Sequence, residues 1–418
     1  MIVIKLIFVS LLLISNSIFA AGFYISEVGT PGSLGTAGVG NPVNNMGADS
    51  AWTNPAGMTG LDKSEYMSGM QMAVPTVRFE ASFAGAGGKN GGNAGNIAMI
   101  PSSFYVKKVS EKLRFGFSVT APLGGGLDYN DDISSTNDDF VGRYGATKAL
   151  LAGIAISPSL AYKVNDKLSV GGGVSIIWTR FDQDIAINQG QLPDGKVELD
   201  DATGFGYQPF VGLQFKPTDR MLLGLVYRAK ADVDLKGDVL WRKLAIPTPQ
   251  IDTVKVAWDN PQTLKGGLRF NLSDDKMIAV SGGWEDWSKF SHNQLSFSGG
   301  MLDPVVSLDR KWDDTWNAGI AYAQDFDNKS RVSFGFSYDS SPVSDANRTI
   351  DLPFDETFKF STSYSVRGGG NFDYAFGATL FVFGDGKVDQ TAQGVRFVGE
   401  FDSNRMLMIG ATIRPKSK

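Results

Sequence analysis

Side chains that do covalent chemistry are almost missing from this 418-residue chain, which has a single histidine, His292, and no cysteine. A zinc centre needs several imidazole or thiolate ligands, so one histidine excludes ordinary zinc chemistry. In Ser291-His292-Asn293 a hydroxyl stands next to an imidazole. Adjacent residues on a strand point to opposite faces, and this stretch reads as loop, so it offers no nucleophile with its base. The run from Asp128 to Asp139 holds Asp128, Asp131, Asp132, Asp138 and Asp139 without a basic residue. It could meet divalent ions at an anionic surface, but the glycine and terminal glutamate of an EF-hand are absent, and acidic runs are usually solvated faces. No phosphate-binding glycine loop and no basic nucleic-acid patch accompanies the net charge of −5. No catalytic residue or metal is expected.

What remains is the chemistry of binding. Arg114, Arg228, Lys265, Arg269 and Lys359 each interrupt a run in which every second residue is apolar. The apolar neighbours Leu223, Leu225 and Tyr227 put Arg228 on the other face. Leu264 and Leu268 do the same for Lys265 and Arg269, and Phe358 and Phe360 for Lys359. A buried cation must find an anion, so each either pairs with a carboxylate of its own wall or meets an acidic head group. Arg180 shares the parity of Trp178 and is expected on the outer face, where lipopolysaccharide phosphate is a candidate partner. A segment expected to be a loop, 232–256, carries Leu235, Val239, Leu240, Trp241, Leu244, Ile246 and Pro247. So much apolar surface on a loop marks either a capture site for a greasy ligand or a loop packed on its neighbours for its own stability.

The elements that must hold these residues are strands. In Leu113 to Thr120 the odd positions are apolar and the even ones are Arg, Gly, Ser and Thr, and the dyad returns in Val332 to Tyr338 and in Phe358 to Ser361. A soluble sandwich would also alternate. Three features favour a transmembrane barrel instead. Met1 to Ala20, with Lys5, the apolar run Leu6 to Ile14 and Ile18-Phe19-Ala20 at its end, reads as a secretory signal peptide. Glycine is abundant, at 50 residues, and no long apolar run follows the signal, as expected when lipid-facing hydrophobicity is spread over alternate positions. Short polar connections at 109–112, 165–167, 217–219, 273–276, 327–329 and 368–371 also intersperse longer ones at 84–96, 122–148, 182–205, 232–256, 288–311, 340–356 and 384–403. That asymmetry fits periplasmic turns and outer loops closing about fourteen strands. Trp178, Trp284, Trp287, Trp312 and Trp316 fall near predicted strand ends, the place for aromatic rings at headgroup level.

Ala21 to Asp62 shows no strand alternation, and the barrel is expected from Lys63 to Lys418. A barrel of this size leaves an aqueous bore unless something fills it. Phe23, Tyr24, Trp52, Met58 and Leu61 are apolar residues that a solvated tail would not need, so this stretch is read as a lumenal plug.

Gly22-Phe23-Tyr24-Ile25-Ser26-Glu27, Gly32 to Ala37 and Asp49-Ser50-Ala51-Trp52-Thr53-Asn54-Pro55-Ala56-Gly57-Met58 resemble the N-terminal hatch of the FadL/TodX family of outer-membrane transporters. The likeness continues through Ile156 to Tyr162, Tyr227-Arg228 and Leu235 to Asp238. It is strongest at Asp339-Ser340-Ser341-Pro342-Val343, with Asn347-Arg348 and Leu352-Pro353 beyond. It implies an all-β, fourteen-stranded antiparallel barrel with a hatch, in the outer membrane of a Gram-negative bacterium. Such a protein passes long-chain fatty acids or, in the TodX-like branch, monoaromatic hydrocarbons, with no cofactor. The resemblance further implies capture in a groove among outer loops, a tighter site against the hatch, and lateral release at a kinked strand. By the same resemblance Phe23 packs against cargo, the alternative being an aromatic that anchors the plug, and Asn54-Pro55-Ala56 is the hatch motif. Proline withholds a donor and holds Asn54 extended, which favours a tight turn over a cargo contact. One departure is the end of the last strand at Thr412-Ile413, where such barrels commonly finish on an aromatic residue.

Expected partners are thus hydrophobic small molecules, outer-membrane lipid and lipopolysaccharide, with the protein acting as a monomer and binding no nucleic acid. A general porin would share the barrel but would leave the leader without a role.

Overall fold

The structure, a computed structural model, describes residues 25–129, 139–245, 253–298, 305–326, 329–368 and 370–416, with the side chains at 290–294, 297 and 305–309 left aside. Its strands are β1 (Glu65–Ala84), β2 (Ala98–Lys108), β3 (Leu113–Asp128), β4 (Lys148–Lys163), β5 (Leu168–Ile187), β6 (Gly195–Thr218), β7 (Met221–Arg228), β8 (Ala231–Arg242), β9 (Thr253–Asn260) and β10 (Thr263–Asn271). They continue with β11 (Lys276–Glu285), β12 (His292–Ser298), β13 (Val305–Asp309), β14 (Thr315–Phe326), β15 (Ser330–Asp339), β16 (Thr357–Val366), β17 (Phe372–Phe383), β18 (Val388–Ala392) and β19 (Val395–Pro415). Strands β7 and β8 both pair with β6 and form one stave; β9 with β10, β11 with β12 and β13 with β14 do likewise, while β18 pairs on β19 alone. The result is a closed barrel of fourteen antiparallel staves. It is sealed by β1 on β19 from Ser68↔Ile413 to Ala84↔Phe397. Closure leaves no edge without hydrogen-bond partners in lipid.

Which face is greasy decides between barrel and soluble sheet. On β15, Phe334 is 54 % exposed while its neighbour Ser333 is 3 % exposed. On β16, Phe358 and Phe360 are exposed, and Lys359, Ser361 and Ser363 are buried. Apolar out and polar in is the inverse of a water-soluble sheet and belongs to a wall bathed in lipid. Trp316, Tyr338 and Phe358 extend this outer face as a run of ring contacts, each 5.1 Å between centroids.

Two expectations need correction. Trp284 and Trp316 are paired across β11 and β14, with Trp316 well exposed, but Trp287 and Trp312 are buried inside the mouth, edge to face at 5.6 Å. Both lie just outside regular strand, where parity no longer assigns a face. Much of the sequence expected as long loops is also strand. Segment 232–256 is mostly β8 and β9, 182–205 is the ends of β5 and β6, 288–311 includes β12 and β13, and 384–403 includes β18 and the start of β19. There the sheet rises above the lipid. Its outer face carries Asp232, Asp234, Lys236 and Asp238, and its inner face Val233, Leu235 and Val239. Charge on the outward face made these strands read as loop.

Residues 25–62 run inside this wall and are almost entirely buried. They form only short helical turns, Leu34–Thr36, Asn41–Val43, Ser50–Thr53 and Pro55–Gly60. Such a segment leaves many carbonyls without backbone partners. The wall supplies the donors: Thr379 Oγ1 to Leu34 O at 2.7 Å, Ser337 Oγ to Ala37 O at 3.2 Å and Gln214 Nε2 to Asn44 O at 3.0 Å. Glycine permits the close approach. A Cβ at Gly224 would strike the Pro42 carbonyl, and one at Gly335 the backbone of Thr36.

Candidate functional site

Asn54 stands at the centre of the N-terminal segment's attachment. Its backbone is extended, φ −156°, as the following proline demands. Its side chain is fully buried, donating Nδ2 to Pro42 O at 2.6 Å and to Leu213 O of β6 at 3.2 Å, while Oδ1 accepts from Ala56 N–H at 3.1 Å. Pro55 and Ala56 start the turn that lies against Gly171 of β5. These contacts are all protein to protein, the geometry of a structural turn.

Three inward arginines have partners that sequence did not anticipate, while the two lysines find carboxylates of their own wall as expected. Arg114 donates Nε and Nη2 to Leu61 O at 3.0 and 2.9 Å, and Arg269 donates Nη1 to Asn45 Oδ1 at 2.9 Å and Val43 O at 3.3 Å. Arg228 stacks between Trp52 and Phe210, its guanidinium carbon 4.1 and 4.8 Å from the ring centroids, and also donates to Trp52 O. These three arginines therefore grip the N-terminal segment. Lys265 instead pairs with Glu285 at 3.1 Å.

Lys359 holds two carboxylates, Asp339 at 2.7 Å and Glu27 of the N-terminal segment at 2.9 Å. Burial pushes the Glu27 carboxyl up, but the Lys359 ammonium beside it outweighs this and holds it below the usual range. Asp339 and Lys359 lie at the long-loop ends of their strands, as Glu285 does, so this cluster faces the wide mouth. Sequence reading missed Glu27 and Asp339 as partners. A signal was present, since Glu27 is the only charged residue from Ala21 to Ala48.

Arg180 faces outward, as parity predicts, but it is ringed by Asp201 at 2.7 Å, Asp182 at 2.9 Å and Asp200 at 3.6 Å. Its guanidinium occupies the centre of those carboxylates, so it is not poised for a phosphate. Leu240 faces outward and is exposed, whereas its neighbour Trp241 packs against the apolar interior of the mouth. Leu244 lies just past the end of β8, half-buried, and Ile246 and Pro247 fall outside the described residues. Phe23, the signal peptide and most of the Asp128 to Asp139 run also fall outside them.

The interior of the mouth is lined by side chains that no single stretch revealed. Phe181 meets Trp258 at 5.9 Å, and Trp312 meets Phe354 at 5.6 Å, with Leu235, Val256, Leu295 and Leu352 in the same cluster. Above it lies the segment 340–356, organised by the buried Arg348. That guanidinium donates to Phe354 O at 2.7 Å and Lys387 O at 2.8 Å, and pairs with Asp345 at 2.6 Å and Asp355 at 3.0 Å. Asp351 joins the same cap to Arg310 at 2.9 Å and to Gln183 at 3.3 Å. Burial would raise the Asp351 carboxyl, yet the adjoining Arg310 holds it below its ordinary value.

Beside the N-terminal segment the wall is incomplete. Strands β2 and β3 pair only from Lys108↔Arg114 to Ser103↔Val119. Beyond that point β3 shifts register on β4 from Thr120↔Ala155 to Leu123↔Gly153, so Ala121 and Pro122 share one opposing residue in a β-bulge. Proline cannot donate to a ladder, which suits the break. The gap is bounded above by Ala94, which accepts from Asp128 N–H at 3.0 Å, and its inner side is met by Ile25, whose N–H donates to Pro122 O at 2.8 Å. Ile97 and Met99 expose apolar surface at its outer lip. On the short-turn side a cavity of about 640 Å³ lies below the N-terminal segment, lined by Asp49, Glu65, Arg269, Arg331, Asp373 and Arg414 among others.

Comparison with known proteins follows the same outline. The model of the family described as outer membrane protein transport protein (OMPP1/FadL/TodX) matches residues 11–413. The long-chain fatty acid transport protein of Escherichia coli K12 is 22 % identical over 409 residues, covering 85 % of this chain and 87 % of that protein. Outer membrane protein P1 of Haemophilus influenzae Rd is 24 % identical over 421 residues, covering 87 % and 88 %. Among solved structures, a Pseudomonas aeruginosa FadL homologue superposes with a TM-score of 0.83 at 21 % identity, covering 94 % of this chain and 99 % of that one. The Ralstonia pickettii toluene transporter TbuX gives 0.69 at 19 % identity, covering 94 % and 99 %.

Proposed function

Because this chain belongs to the outer membrane protein transport protein family (OMPP1/FadL/TodX), we propose that it carries long-chain fatty acids across the outer membrane of a Gram-negative bacterium. The observation that carries the reading is a bore occupied by residues 25–62, with a break in the wall beside them at the β3 bulge. A stoppered cylinder with a side gap is of little use to hydrophilic solutes, but it suits a ligand that prefers lipid.

In this reading cargo is first held at the mouth, where Trp241 borders the cluster of Phe181, Trp258 and Leu235, with Leu244 just past the same strand and Leu240 on its outward face. It then moves down to the N-terminal segment, which acts as the hatch, with Phe23 as a further candidate contact. Release is sideways, between β2 and β3, once Ile25 leaves Pro122. Burial of each methylene contributes about 0.8 kcal/mol, so the acyl chain supplies the affinity and the apolar mouth needs no energy source. Arg228 serves the hatch rather than the cargo in this scheme, since its stack on Trp52 would have to break before it could meet a carboxylate.

The rings of Trp258, Trp287, Trp312 and Phe354 support a second reading, uptake of monoaromatic hydrocarbons. Growth separates the two. A deletion strain should fail on oleate as sole carbon source and recover with the gene restored; normal growth on oleate with failure on toluene-like compounds would favour the second reading. A large steady single-channel current from the intact protein would instead indicate an open porin.

A further inference from the structure

We infer that Lys359 and Glu27 form a carboxylate-exchange latch, in which the head group of an acidic cargo takes the place of Glu27 on Lys359 and so frees the segment that blocks the β2–β3 gap. The inference rests on the fatty-acid reading and adds how cargo chemistry is sensed.

Four observations carry it. Glu27 and Lys359 are both buried, and the ammonium is shared between Glu27 at 2.9 Å and Asp339 at 2.7 Å. Glu27 lies two residues from Ile25, whose N–H holds the bulge carbonyl of Pro122. Whatever dislodges Glu27 therefore pulls on the contact that fills the gap. Other inward cations among the described residues are committed elsewhere: Arg114, Arg228 and Arg269 to carbonyls of the hatch, Lys265 to Glu285, and Arg310 and Arg348 to carboxylates of 340–356. A cargo carboxylate entering this mouth must therefore displace a partner, and among these carboxylates Glu27 is the one on the segment that meets the gap. Finally, Asp339 and Lys359 sit at the mouth ends of β15 and β16, where descending cargo arrives.

The exchange substitutes one carboxylate for another, so Lys359 keeps two anionic partners throughout, and the displaced Glu27 carboxylate moves with its freed segment to water. A neutral hydrocarbon or ester cannot make that substitution. It can bind the apolar mouth but leaves Glu27 where it is. A ligand shifts a conformational equilibrium only by its difference in affinity for the two states, and here that difference is the head group.

The chain has no cysteine, so Ile25→Cys introduces a single thiol at the gap. Its maleimide labelling rate would be measured in detergent micelles with palmitate, with methyl palmitate and with neither, while calorimetry reports binding of each. Palmitate is expected to speed labelling by about tenfold, a usual size for coupling between sites, and methyl palmitate to bind without speeding it. Adding Glu27→Gln should give fast labelling with no ligand present. Equal acceleration by the ester, or palmitate binding without acceleration, overturns the latch and leaves the fatty-acid reading standing. Absence of palmitate binding to the wild-type protein overturns both.

Discussion

Arg228 lies flat on the indole of Trp52, 4.1 Å from guanidinium carbon to ring centroid, and donates to the carbonyl of the same residue. A side chain of the wall thus clamps the hatch by ring and backbone together. Desolvated stacking of this kind is worth about 2 kcal/mol, and a lysine cannot reproduce a planar stack. Arg228→Lys should therefore behave much like Arg228→Ala: a folded barrel with a loosened hatch, read as flickering conductance in planar bilayers where the wild-type protein is quiet.

Asn54→Ala would strip the Pro42 and Leu213 carbonyls of their donor and Ala56 N–H of its acceptor. Each buried group left unsatisfied costs about 1–3 kcal/mol. Asn54→Asp should be as damaging, since it removes the donor and turns a carboxylate toward two carbonyl oxygens. Protease sensitivity of residues 25–62 in detergent, with the barrel's heat-modifiable migration on gels unchanged, is the expected pattern.

Deleting Pro122 should heal the wall. The bulge adds one residue opposite β4, so removing one restores both register and the in–out alternation of Leu123 and Leu127. Strand β3 could then continue its ladder along β2 past Val119. The variant should assemble and still bind palmitate, yet support no more growth on oleate than the deletion strain. Full growth would mean that cargo leaves by another path.

The cap should depend on acidity in a defined direction. Asp351, held by Arg310 below its ordinary value of 3.8, contributes stability that is present above that value and lost as pH falls through the lower, folded one. Hydrogen exchange in 340–356 should accordingly stay slow through mildly acidic conditions. Asp351→Asn leaves Arg310 buried without its anion, a loss of about 3–5 kcal/mol for such a pair, and should open the cap at neutral pH.

Asp49 works the other way. Burial raises its carboxyl above 3.8, so the folded hatch binds protons more tightly than the unfolded one, and stability declines as pH rises from there through the folded value. Asp49→Asn keeps an oxygen for the Thr30 hydroxyl, now 2.5 Å from Oδ2, and removes the buried charge. The variant's hatch should resist protease better than the wild type at pH 8, with the advantage shrinking as pH falls and the wild-type carboxyl takes up its proton.

The chemistry of lipid contact was legible one strand at a time. Because side chains alternate strictly along a strand, Phe334 and Ser333, or Phe358 and Lys359, declare opposite faces without knowledge of any partner, and so do the inward positions of Arg114, Arg228, Lys265 and Arg269. Asn54-Pro55-Ala56 was likewise readable, since proline restricts its predecessor locally. The same rule failed where the lipid ends. The strands continue into water with Asp232 and Lys236 outside, and Trp287 and Trp312 leave the strand and turn inward.

Parity tells a residue which side of the wall it occupies but nothing about what waits there. That Arg228 meets Trp52, that Arg114 reaches Leu61, and that Lys359 is bound by Glu27 from 332 positions away are decided only when the sheet closes around the leader. Alternation is a property of the chain's own backbone, so the sequence determines it unaided. Pairing inside the bore depends on which staves become neighbours across a closed ring, and that is a property of the tertiary structure alone.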